Sequence, residues 1–170
     1  SHRSFVNENR TIMQEHNERL EFLGDSVLGV VMAEYLYKHF PNTPEGRLSH
    51  LRSRLVEAPS CVNYIQSMDV ESFLLLGKGE QMNGGKGRES ILADLFEAVI
   101  GAIYLDSGVD AVKTFIFDNF AEHIGKIVKE PVRNWKAELQ DYSQKKYQQT
   151  PLYCVIEETG PDHSKEFHVA

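Results

Sequence analysis

Glu18, Glu21 and Asp25 stand three and four residues apart within NERLEFLGDSVLGVVMAEYL (17–36), and Asp94 and Glu97 stand three apart within SILADLFEAVIGAIYLDSG (90–108). At ~100° per residue, a helix over the first stretch gathers its three acids into an arc of about 60°. Leu20, Leu23, Val27, Val30 and Val31 fall on the opposite side, so a core face and a separate acidic stripe are expected. A merely solvated stripe usually mixes in Lys or Arg, because like charges one turn apart repel by about 0.2–0.5 kcal/mol per pair. Here Arg19 lies off the stripe, and Phe22, Gly29 and Met32 surround it.

On the second stretch Ala98, Gly101 and Ala102 lie around the two acids, while Leu92, Leu95, Val99 and Ile103 form the predicted core face. Small residues beside acids let helices approach closely. Packed together, the two helices can bring all five carboxylates to one pocket, and such a cluster does not stay ionised without cations. Oxygen ligands alone select hard ions such as Mg²⁺ or Mn²⁺. A di-iron bundle requires Glu-x-x-His pairs, and none of the seven histidines has Glu three positions before it.

The elements that must hold these acids are predicted from apolar spacing. Beyond the two stretches, Leu48, Leu51 and Leu55, then Val112, Phe115, Ile116, Phe120 and Ile124, recur at helical intervals, so residues 1–129 read as an all-α unit. PNTPEG (41–46) separates two helices, GKGEQMNGGKGR (77–88) is expected to be a long polar loop, and DSG (106–108) ends a helix. Neither Lys78 nor Lys86 completes a phosphate-binding loop. Residues 130–134 read as a linker, after which WKAELQDYSQKKYQ predicts a helix and TPLYCVIEETGPDHSKEFHVA two strands around a turn. A helix with a two-stranded ribbon is marginal alone, and because the sequence begins with Ser1 and stops within the second strand, both ends are expected to be cut.

With 170 residues, 41% of them hydrophobic, the chain is large enough for one sizeable core. Its formal net charge of −7 argues against a uniformly basic nucleic-acid surface. Cys61 and Cys154 lack zinc or disulfide-framework spacing, which fits reduced thiols in a cytoplasm. No apolar run approaches the ~18 residues of a membrane span, so no membrane partner is expected.

ERLEFLGDSVL closely resembles the signature of the ribonuclease III family, and SHRSF, RESILADLFEAVIGAIYLDSG and the final segment occur in that family's order. The resemblance covers nearly the whole chain. It implies a mainly α protein: an all-helical nuclease domain over 1–129, the linker 130–134, and an incomplete α-β-β portion of a double-stranded-RNA-binding domain over 135–170. The implied activity is endonucleolytic cleavage of double-stranded RNA by Mg²⁺-assisted hydrolysis, with Mn²⁺ as a substitute, leaving 5′-phosphate and 3′-hydroxyl ends, in the processing of ribosomal and other RNA. Matched residue by residue, the metal ligands fall on Glu21, Asp25, Asp94 and Glu97, with Asp25 and Glu97 the least replaceable, and Glu18 is a supporting acid. The implied partners are double-stranded RNA and a second copy of the chain, with no small-molecule cofactor. Phe22 matches an aromatic that plugs into the partner subunit, an ordinary core or partly exposed Phe being the plainer alternative; Gly24 and Gly29 could serve the same contact.

In the final segment, Gln140, Gln144 and His163 match residues that contact RNA minor grooves. From Asn134 onward four Lys face six acids, a net −2, so the expected basic footprint is missing there. Arg47, Arg52, Arg54, Lys78, Lys86 and Arg88 offer phosphate contacts within the first unit, or an ordinary solvated face. The competing reading is a non-catalytic RNA-binding or assembly protein on the same fold. A full set of acids favours the enzyme.

Overall fold

The structure, a computed structural model, describes the chain except residues 13–14, 83–86, 130–134, 160–165 and 170, and of residues 135–138, 155, 157 and 166–169 it describes the backbone alone. The chain divides into two compact units, 1–130 and 131–170.

The first unit contains α1 (Arg3–Glu8), α2 (Glu18–His39), α3 (Glu45–Val56), α4 (Ala58–Ser67), a 3-10 turn (Glu71–Phe73), α5 (Lys78–Met82) and α6 (Arg88–Lys129). α6 is two helical arms. Gly108 breaks it with φ 79°, in the left-handed region that glycine enters without a Cβ penalty. The first arm carries Leu92, Phe96 and Ile100 into the core, and the second carries Val112, Ile116, Phe120 and Ile124. From α2 they meet Val27, Leu28, Val31, Met32 and Leu36.

Tyr64 of α4 closes this core. It is 1% exposed, packs its ring 5.1 Å from Phe96 on one arm and 4.9 Å from Phe120 on the other, and donates its hydroxyl to the Leu55 carbonyl. A buried hydroxyl without that acceptor would cost about 1–3 kcal/mol. Outside the core, Glu34 of α2 accepts from Lys38 at 2.5 Å and from Lys113 of the second arm at 2.6 Å, and these two hydrogen bonds, Lys113's foremost, hold its carboxyl at about 2.

α2 and the first arm of α6 cross where both lack side chains. A methyl group built on Gly24 would overlap the Glu97 carbonyl, and one on Gly101 would overlap the Leu20 carbonyl. Of the small residues around Asp94 and Glu97, Gly101 therefore serves close helix approach, while Ala102 is exposed. Gly24 spends its freedom inside the chain rather than at a subunit contact, and Gly29 faces open space.

Several expectations require correction. Val30 is 62% exposed, because it lies at the edge of the apolar arc rather than under it, and the core side of α2 turns instead on Leu28, Met32 and Leu36. On α6, Leu95, Val99 and Ile103 are only partly buried, while Phe96 and Ile100 point inward. The segment 77–88 is not wholly a loop, since α5 forms within it. Gly77 lets this segment approach α1: its N–H donates to Ser4 Oγ at 2.9 Å, and the Lys78 N–H donates to Glu8 Oε2 at 2.9 Å.

The second unit contains α7 (Trp135–Tyr147) followed by β1 (Val155–Thr159) and β2 (Glu166–Val169), paired antiparallel with Glu158 opposite Phe167 and an irregularity between Val155 and Glu157. No described helix is long and apolar enough to cross a membrane.

Gly101→Ala tests the crossing. In an ordinary helix interior this change stabilises by about 1 kcal/mol; at the crossing, overpacking should destabilise by roughly 1–3 kcal/mol instead. Urea denaturation followed by circular dichroism reads the sign, and a more stable variant would contradict the close approach.

Candidate metal centre

The crossing dictates where the acids go. Glu21 lies one turn before Gly24 on α2, and Glu97 lies one turn before Gly101 on α6, with Asp94 a further turn back. Two backbones in contact leave these carboxylates no room to diverge. One oxygen each from Glu21, Asp94 and Glu97 lies within 4.8 Å of the others, and all three residues are half-buried. Oxygens on opposite sides of a single hard cation are ~4–5 Å apart, so this trio matches the first coordination sphere of such an ion in donor type and in scale.

Asp25 is exposed and lies outside the trio, yet its charge reaches the site. Burial is the main cause that pushes Glu97 up from 4.5 to about 7, followed by the charges of Asp25, Asp94 and Glu21. Glu21 is raised by burial, then by Asp94, Glu18 and Asp25. Asp94 is raised by burial and by Glu18, with His2 acting in the opposite sense. Beneath the acids the Cys61 thiol is fully buried and pushed up to about 12, by burial first and then by Glu97, Asp25 and Asp94. The cluster sits on a buried apolar floor, where its mutual repulsion is poorly screened.

Glu18 stands apart from the trio. Its Oε1 is 3.5 Å from Arg3 Nη1, and its Oε2 is 3.6 Å from His16 Nδ1, too far for a hydrogen bond. Arg3 and His16, together with His2, are neighbours of the site that residue spacing did not single out. The clue was the charge of SHRSF and of EHNE immediately before the acidic stripe.

Phe22 is 79% exposed on α2, which removes it from this chain's core. Arg47 and Arg52 of α3 and Lys78 of α5 are exposed, Arg54 is half-buried, Arg88 is ion-paired with Glu71 at 2.9 Å, and Lys86 lies outside the described residues. On α7, Gln140 is half-buried and Gln144, one turn on, is exposed; His163 lies outside the described residues.

Comparisons with known proteins agree on one relationship. Residues 1–124 match the family described as Ribonuclease-III-like. The chain is 69% identical over 169 residues to Ribonuclease 3 of Protochlamydia amoebophila, covering 99% of this chain and 69% of that protein. It is 46% identical over 169 residues to Ribonuclease 3 of Leptospira interrogans, covering 99% of this chain and 68% of the relative. Among solved structures, the nuclease domain of ribonuclease III from Campylobacter jejuni, described for structural flexibility in the region involved in dimer formation, superposes with a TM-score of 0.59 at 45% identity, over 64% of this chain and 78% of that one.

The raised Glu97 value gives one contribution to how stability responds to pH without divalent ions; raised Glu21 and Asp94 act in the same sense and lowered His123 opposes them. Between 4.5 and about 7 the folded chain retains a proton that the unfolded chain has released, so stability falls as pH rises through that interval. Melting temperature in EDTA should decline from pH 5 to pH 8, Glu97→Gln should flatten the decline, and added Mg²⁺ should raise the melting temperature more at pH 8 than at pH 5. An identical profile for Glu97→Gln would remove Glu97 as its source.

Proposed function

Because this chain belongs to the ribonuclease III family and is a ribonuclease of that type, we propose that it cuts double-stranded RNA endonucleolytically by Mg²⁺-assisted hydrolysis, leaving 5′-phosphate and 3′-hydroxyl ends. The observation that carries this reading is the convergence of Glu21, Asp94 and Glu97 on the scale of one hard cation. Asp25 completes the proposed ligand set, and Glu18 supports it from the rim. A non-catalytic relative built on this fold would be expected to have lost ligands, and here none is lost.

A phosphodiester resists hydroxide because it is itself anionic. Divalent ions bound at such a site neutralise that charge, make a bound water more acidic and stabilise the leaving oxygen. The chain's part is to hold its oxygens in place before substrate arrives. Glu21 and Glu97 are positioned by helices in backbone contact, and Asp94 shares a rigid arm with Glu97. No histidine or serine nucleophile is required.

Residues 1–129 are then the nuclease domain, 130–134 a linker, and 135–170 part of a double-stranded-RNA-binding domain in which Gln140, Gln144 and His163 meet minor grooves by shape recognition. Homodimerisation would set two sites along one duplex. The exposure of Phe22 supports its assignment to the subunit contact. The proposed setting is the cytoplasm, with ribosomal and other structured RNA as substrates and Mn²⁺ able to replace Mg²⁺.

Incubation with a long RNA duplex should show cleavage with Mg²⁺ and none in EDTA. Glu97→Gln should lower the cleavage rate by about a hundredfold or more, in the range of lost transition-state charge stabilisation, while binding of the duplex persists. Near-normal cleavage by Glu97→Gln would overturn the ligand assignment. Phe22→Ala should shift the chain from dimer to monomer in analytical ultracentrifugation at micromolar concentration; a native chain that sediments as monomer there would remove the dimer.

A further inference from the structure

Beside the acids, the segment before α1 is stitched into the first unit from two sides. The Asn17 N–H at the start of α2 donates to the Ser1 carbonyl at 3.0 Å, and the His2 N–H donates to the Leu75 carbonyl at 3.0 Å. His2 is thereby held next to the turn that carries Glu18 and Glu21. Its ring is oriented as well. His2 Nδ1 accepts from the Ser4 N–H at 3.2 Å and pairs with the Ser4 hydroxyl at 2.8 Å, while that hydroxyl oxygen accepts from the Gly77 N–H at 2.9 Å.

The donor chain runs from Gly77 N–H to Ser4 Oγ–H to His2 Nδ1. With Nδ1 accepting, the neutral ring carries its proton on Nε2, and Nε2 has no acceptor among the described residues. The neighbouring cation is differently employed, since Arg3 reaches Glu18. His2 is within electrostatic range of Asp94, which agrees with its placement beside the cluster. A site of carboxylates repels a phosphate, and an oriented N–H donor on its edge offsets that repulsion at one point.

We propose that His2 is a substrate-contacting residue whose Nε2–H donates to a phosphate oxygen of RNA bound at the acidic site, with Ser4 as the positioning residue that sets the ring. The inference rests on the double-stranded-RNA nuclease reading above. It assigns His2 to the RNA and not to the metal.

His2 also caps α1 through Nδ1, so alanine would confound two roles. His2→Asn separates them: its amide oxygen can keep the cap, while its shorter side chain removes the Nε2 donor. Steady-state cleavage of a long RNA duplex in Mg²⁺ should show kcat/KM for His2→Asn lowered about tenfold, the scale of one hydrogen bond to a charged group. Mn²⁺ affinity without RNA, from the paramagnetic signal of the free ion, and the melting temperature should both stay at native values. Ser4→Ala should shift kcat/KM in the same direction by less.

Native kcat/KM in His2→Asn would overturn the proposal, leaving His2 as a helix cap. A loss matched by weaker Mn²⁺ binding would also overturn it, by making His2 part of the metal site. If the native chain itself cleaved no duplex in Mg²⁺, the nuclease reading of this chain would fall and the proposal with it, whereas native cleavage with an unaffected His2→Asn refutes the proposal alone.

Discussion

The backbone contact between α2 and the first arm of α6, at Gly24 and Gly101, is the constraint from which the rest of the nuclease unit follows. With no Cβ on either side, each glycine meets a carbonyl of the opposite helix, that of Glu97 for Gly24 and that of Leu20 for Gly101. Helical geometry then places the residues one turn earlier, Glu21 and Glu97, face to face. Ordinary side chains at the crossing would hold helix axes about 8–10 Å apart and spread the carboxylates. The charge cluster is thus produced by packing, and it persists because the core beneath outweighs its repulsion.

That core explains the electrostatics. Cys61, Tyr64 and Phe96 are buried together, giving the carboxylates a low-dielectric boundary on one side and solvent on the other. Burial ranks ahead of neighbouring charge as the cause of the raised Glu21, Asp94 and Glu97 values. A fully buried cluster would be neutral, and a fully exposed one would be screened. The half-buried position keeps the acids ionisable while raising the cost of leaving them charged without a compensating proton or cation.

The acidic stripe was legible in the sequence because carboxylates at three- and four-residue spacing stand out against apolar residues of the same period. Small residues near Asp94 likewise announced close packing, and Asp106 to Gly108 announced the break that Gly108 makes. Other elements were obscured for identifiable reasons. α4 buries Cys61, Tyr64 and Ile65, and a periodicity written largely in Cys and Tyr is easily passed over beside one written in Leu and Val. α1 and α5 are six and five residues long, too short for periodicity, and are held by contacts between distant segments such as Ser4 with Gly77. Val30 falls on the apolar arc counted from sequence but at its edge, whereas the packed helix buries only the strip facing α6 and α3.

A chain of net charge −7 that acts on a polyanion faces a conflict its fold does not resolve alone. On the proposed reading, the divalent ion resolves it at the site, since it reverses the sign of the field that RNA meets there. Metal and RNA are then linked: an ion held by Glu21, Asp94 and Glu97 strengthens phosphate binding, and by reciprocity bound RNA strengthens the hold on the ion. On the same reading, the exposed Arg47 and Arg52 of α3 and the proposed His2 donor would act where the ion cannot reach, along the duplex backbone. On that reading, the acidity that first argues against nucleic acid is the feature that would make its recognition conditional on metal.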